Sequence, residues 1–117
     1  MTQALLFFGV LEWILYMIEK IKNELRMTQY FDCTHCFLRG SYADESYGIS
    51  SDIDLLIVSP EFKDISILKR KELVNKAMGN LAINTRFDAI CLSEEEYANF
   101  INCRRKMFFD ERLIRIV

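Results

Sequence analysis

A chain of 117 residues, 51% apolar and 27% charged, has the size and composition of one folded domain with a modest core, expected to span residues 1–117. The balance excludes an intrinsically disordered polymer. A formal net charge of −2 excludes stable nucleic-acid binding through a generally basic surface, because such binding needs clustered cations to displace counterions.

Residues 4–18 are almost all apolar, broken only by Gly9 and Glu12. A membrane-spanning helix wants about 20 apolar residues. A secretory leader wants basic residues ahead of the apolar run, and no Lys or Arg precedes Lys20. The expectation is therefore a cytoplasmic chain with no membrane segment. From residue 11 to 27, Trp13, Ile14, Met17, Ile18, Ile21 and Leu25 recur at helical spacing, with charged residues between them, which predicts an amphipathic helix. Residues 1–10 read as an extension that is either disordered or associating. A helix apolar on nearly all sides needs cover that a small domain cannot supply, so self-association or pairing with a partner protein is expected, a two-fold homodimer being the commonest solution.

Residues 34–39 read as a short strand ending at Gly40, and residues 41–51 as a loop. Residues 53–58 are apolar on both faces, which places that strand inside a sheet. Ser59-Pro60 ends it. Residues 65–78 predict a helix with Gly79 as its stop signal. Residues 83–92 read as a third strand. Ser93-Glu94-Glu95-Glu96 reads as a capping box opening a helix through Ile101. The stretch 107–117 fits helix or strand. Alternating strands and helices predict an α/β or α+β domain, without fixing strand order.

Cys33 and Cys36 form a C-x-x-C, but Cys91 and Cys103 are isolated and the only His lies between the first two. Half a zinc site is not a site, and a redox C-x-x-C normally opens a helix, whereas Cys36 enters a strand. The four cysteines read as small apolar side chains in a reducing compartment. The basic triplets Lys69-Arg70-Lys71 and Arg104-Arg105-Lys106 read as solvated faces before phosphate contacts.

The informative stretch runs Arg39-Gly40-Ser41-Tyr42-Ala43, a loop, then Ser51-Asp52-Ile53-Asp54 and the apolar run to Val58. Strand periodicity puts the Asp52 and Asp54 side chains on one face. Two close carboxylates repel unless a cation sits between them, and a hard ion such as Mg²⁺ fits, taking carboxylate and phosphate oxygens together. Gly40 lets backbone approach a phosphate, and Ser41 adds a hydroxyl donor. Asp88 stands within an otherwise apolar strand, where a lone buried carboxylate is costly unless paired or metal-bound. Beside Asp52 and Asp54 it would complete a cluster for two metals. Either short motif alone is commonly just a turn or a cap.

This ordered set resembles the minimal nucleotidyltransferases of the DNA polymerase β-like superfamily, in which Gly-Ser, a loop of about ten residues and Asp-x-Asp precede an apolar strand and a later strand carries a third Asp. The resemblance covers roughly residues 12–101. It implies a small mixed β-sheet flanked by helices, and Mg²⁺-dependent transfer of a nucleoside monophosphate from a nucleoside triphosphate, expected to be ATP, to a hydroxyl. It makes Asp52, Asp54 and Asp88 the catalytic and metal-binding residues, with Asp88 helping to deprotonate the acceptor. It makes Gly40 and Ser41 the residues that hold the β and γ phosphates. The chain departs from the family after Gly-Ser-x-Ala, where a basic residue and Gly are usual and Asp44-Glu45 stand instead. The resemblance also implies a context: an antitoxin that adenylylates a tyrosine of a small helical HEPN-type toxin. Two rival readings are a non-catalytic module that neutralises or scaffolds a partner, and an antibiotic nucleotidyltransferase using Glu94, Glu95 and Glu96 to attract a cationic drug. Three mutually repelling carboxylates argue against the first. The preference of a helix N-terminus for acids explains the glutamates without a drug.

Overall fold

A computed structural model of the chain describes the backbone of residues 3–39, 53–79, 87–107 and 113–117, and the side chains of 12–39, 53–79, 87–103 and 113–117. The first helix, α1 (Gln3–Met27), begins ahead of residue 11, where the periodicity placed its start. Ile14, Met17, Ile21 and Leu25 fall on one stripe and are buried. That stripe packs on a four-stranded mixed sheet formed by β1 (His35–Arg39), β2 (Ile53–Val58), β3 (Phe87–Leu92) and β4 (Ile114–Arg115).

The strand order is β3-β2-β1-β4. β1 runs antiparallel to β2 and to β4, whereas β2 and β3 are parallel. The parallel pair is joined through α2 (Ile67–Met78), as a parallel connection requires a crossover. β2 lies inside the sheet with both faces buried beyond Asp54, which accounts for the apolar run from Leu55 to Val58. Its Ile53, Leu55 and Ile57 join Cys36, Leu38, Cys91 and the α2 residues Val74, Ala77 and Met78 in the core beneath α1. The stretch left open between helix and strand ends as β4, and Ile116 donates its backbone N–H to the Cys36 carbonyl at 2.7 Å.

The ends of the elements follow their local chemistry. Buried Ser59 accepts a hydrogen bond from the Glu61 N–H at 3.1 Å and turns the chain through a short 3-10 turn at Pro60–Phe62. Asp64 then takes a left-handed conformation (φ 61°), which short polar side chains tolerate. Ser66 caps α2 by accepting from the Lys69 N–H at 3.2 Å. Gly79 does follow the last residue of α2, but with φ −62° it is right-handed, so the helix stops without the left-handed glycine that the stop signal implies. The expected capping box is formed at the start of α3 (Glu94–Met107), which runs six residues beyond Ile101. The Ser93 N–H donates to Glu96 Oε1 at 2.9 Å and the Glu96 N–H to Ser93 Oγ at 3.3 Å.

Candidate active site

Asp54 and Asp88 are direct partners in the parallel β2–β3 register. Arg39 is the partner of Asp54 in the antiparallel β1–β2 register. Side chains of paired residues leave a sheet on the same side, so Arg39, Asp54 and Asp88 form one row across three neighbouring strands. The row lies on the face opposite the α1 core, because the alternate positions Ile53, Leu55, Ile57 and Leu38 point into that core. Arg39 closes β1, and Asp54 and Asp88 each stand second in their strands, so the row sits at one end of the sheet.

Asp88 is exposed and Asp54 half-buried. This corrects the argument that Asp88 carries the cost of a buried charge. It stands second in β3 as described, at a position exposed to water. Its place in the row, not desolvation, is what recommends it. Oxygen-only donors on facing strands are the set that a hard divalent cation takes, so the residues present fit such an ion. Asp52, Gly40, Ser41, Asp44 and Glu45 lie outside the described residues, as do the first four residues of the expected third strand. Among the described residues, the site therefore consists of two of the three expected carboxylates and a cation that the sequence presented only as the residue before Gly40.

Farther along the same face, His35 and Phe37 of β1 stack with Tyr97 of α3, with ring centroids 5.0 Å and 5.8 Å from it. Thr34 donates its hydroxyl to Glu94 at 2.6 Å. Periodicity could not have shown this aromatic group, because nothing local says that α3 returns to β1.

The other candidates resolve into packing. Arg70, from the first basic triplet, is buried. Its Nε donates to the Ile65 carbonyl at 2.9 Å, and its Nη1 donates to the Cys91 carbonyl at 3.0 Å and to Glu96 at 2.7 Å. The Ser93 N–H, aided by Ser93 Oγ and Arg70, holds the Glu96 carboxyl below its ordinary range. Lys69 pairs with Glu72 at 3.4 Å. The side chains of Arg104, Arg105 and Lys106 lie outside the described residues. Burial pushes the Cys33 thiol up to about 12 and the Cys91 thiol to about 11, and raises Cys36 well above its ordinary value. These are protonated, unreactive thiols, as expected of core cysteines. A hollow of about 550 Å³ lined by Glu24, Met27, Tyr30 and Ala77 lies at the end of α1, away from the row. Among the described residues, no helix is long and apolar enough to cross a membrane.

Known proteins resemble the chain in family and in fold. The model of the nucleotidyltransferase domain family matches residues 18–113. A crystal structure of a candidate nucleotidyltransferase from Sulfolobus solfataricus superposes with a TM-score of 0.57 at 22% identity, covering 88% of this chain and 83% of that one. A second candidate nucleotidyltransferase structure gives a TM-score of 0.45 at 22% identity, over 86% of this chain and 96% of that one. No curated protein matches the chain.

Proposed function

The chain belongs to the nucleotidyltransferase domain family, and on that premise we propose that it transfers a nucleoside monophosphate from ATP to a hydroxyl, with Asp52, Asp54 and Asp88 holding Mg²⁺ against the triphosphate. The observation that carries the reading is the register that sets Asp54 opposite Asp88, at the end of the sheet where β1 closes with Arg39. Asp88 takes the proton of the acceptor hydroxyl. The freed oxygen bonds to the α-phosphorus, the bond from that phosphorus to the α–β bridging oxygen breaks, and pyrophosphate leaves with the electron pair. Bound magnesium would supply charge stabilisation to the phosphate oxygens. Gly40 and Ser41 hold the β and γ phosphates.

The acceptor is a tyrosine of a partner protein, a small HEPN-type toxin that the modification silences in the cytoplasm. This part rests on the resemblance in the Gly40-Ser41 and Asp52-x-Asp54 stretch. The chain also pairs with a second copy through the outer side of α1, where Trp13, Leu15 and Tyr16 are exposed.

The test is incubation with α-labelled ATP, magnesium and the purified candidate toxin. Label should appear on a toxin tyrosine, and the Asp54→Asn and Asp88→Asn variants should not transfer it. Transfer undiminished in both variants would remove the carboxylates from the reaction. Label on the nucleotidyltransferase alone would remove the toxin as acceptor.

A further inference from the structure

Arg39 is the one cation in the row, and neither the motif nor the proposed mechanism gives it a task. It is half-buried at the end of β1, with Asp54 as its cross-strand partner and Asp88 next beyond. Directly opposed antiparallel residues hold their Cβ atoms about 4.5–5.5 Å apart, within easy reach of a guanidinium. Along the sequence it is isolated as well. Between Arg26 and Lys63 it is the only Lys or Arg, against Asp32, Asp44, Glu45, Asp52, Asp54 and Glu61.

We infer that Arg39 is a substrate-contacting residue that balances the Asp54–Asp88 pair in the empty site and binds a β- or γ-phosphate oxygen of the triphosphate once a divalent cation has taken over the carboxylates. The inference rests on the proposed metal-binding role of those carboxylates. Its physical basis is a change of partner. Two carboxylates on facing strands repel, and a guanidinium one strand away offsets part of that repulsion. A divalent cation neutralises the pair more fully and weakens its hold on Arg39. A triphosphate brought in with the metal carries more negative charge than the carboxylate that the guanidinium leaves. The planar fork of donors matches phosphate oxygens in pairs, which an ammonium cannot do. A stretch so rich in acids otherwise repels a nucleotide, which gives the single arginine its selective value.

Calorimetry on the full chain tests this with two probes, Mn²⁺ alone and the magnesium complexes of ATP, ADP and AMP. Arg39→Gln should weaken ATP binding by roughly 10- to 100-fold, the loss of a charge-assisted phosphate contact. The effect should shrink from ATP to AMP, and Mn²⁺ binding should be unchanged or tighter. Arg39→Lys should fall between wild type and Arg39→Gln. ATP binding by Arg39→Gln within twofold of wild type overturns the inference. So does an equal loss for all three nucleotides together with weaker Mn²⁺ binding, which would make Arg39 only a holder of Asp54. If wild type binds neither Mn²⁺ nor nucleotide, the carboxylate reading fails and this inference with it. Wild type that binds both, beside an unaffected Arg39→Gln, sinks Arg39 alone. Arginine modification by phenylglyoxal needs no variant: Mg·ATP should protect the peptide containing Arg39, and equal modification with and without nucleotide overturns the assignment.

Discussion

Because Asp88 is exposed, its replacement by Asn relieves no burial penalty and opens no cavity. Asp88→Asn should therefore leave the melting temperature within a degree or two, the usual range for a surface change, while slowing transfer by about two to four orders of magnitude as a base is lost. A melting temperature that drops sharply would mean that Asp88 holds the sheet together instead. Gly79 makes a second residue-scale prediction. At φ −62° an alanine is unstrained, and its Cβ would meet the Asn75 and Lys76 carbonyl oxygens at an ordinary 3.4 Å. Gly79→Ala should raise stability by about 0.4–1 kcal/mol in a denaturant titration, mainly by restricting the unfolded chain. The thiols make a third. Cys33, Cys36 and Cys91 all ionise less readily in the folded chain than their ordinary value of 9.0. As pH rises past 9 the unfolded chain sheds these protons first, so stability present below 9 is lost between about 9 and the folded values near 11 and 12. Thermal melts across that window should show the fall, and replacing Cys33 and Cys91 by Ala should flatten it.

At the scale of elements, the start of α3 couples three parts of the fold. Ser93 and Glu96 cap each other, and Glu96 also anchors Arg70, which ties α2 to the end of β3. Ser93→Ala should cost about 1 kcal/mol, the usual worth of an N-cap. Arg70→Met should cost about 1–3 kcal/mol, because it takes the donor from the Ile65 and Cys91 carbonyls, while Glu96 keeps its bond from the Ser93 N–H. The capping box could be read from sequence because its residues are three apart and their chemistry is local. β2 could be read because burial on both faces leaves an unbroken apolar run. Arg70 misled for the opposite reason. Its neighbours Lys69 and Lys71 make a basic triplet, and only the packing of α2 against β3 and α3 shows that the middle residue is interior. Arg39 is similar, since the row that gives it meaning joins residues 15 and 49 positions farther along the chain. The Asp-x-Asp motif was visible because strand periodicity is local, whereas the pairing of Asp54 with Asp88 depends on a crossover that no local pattern encodes.

For the whole molecule, the open question is what covers the outer side of α1. Ile14, Met17, Ile21 and Leu25 are spent on the core, yet Trp13, Leu15 and Tyr16 remain 38%, 59% and 53% exposed around the rest of the helix. Glu12, Tyr16 and Lys20 are spaced by four and so share one helix face, with Lys20 Nζ lying 5.4 Å from the centre of the Tyr16 ring. An antiparallel pair of α1 helices about a two-fold axis at Tyr16 places Glu12 of each copy opposite Lys20 of the other. The apolar side chains then meet between the two charge pairs. In the proposed dimer that complementarity would favour a second copy over an unrelated partner, and two-fold pairing would close the contact. Sedimentation of the full chain should give a dimer. Tyr16→Glu should give a monomer whose melting temperature stays close to that of the dissociated wild type, since Tyr16 is outside the core. Lys20→Glu alone sets like charges against each other and should weaken the dimer by roughly tenfold over its two symmetric contacts. Combining it with Glu12→Lys restores opposite charges with the order reversed and should recover most of the affinity. A chain that stays monomeric at high concentration excludes the pairing. A dimer indifferent to both the single and the double charge change places its interface on some other surface.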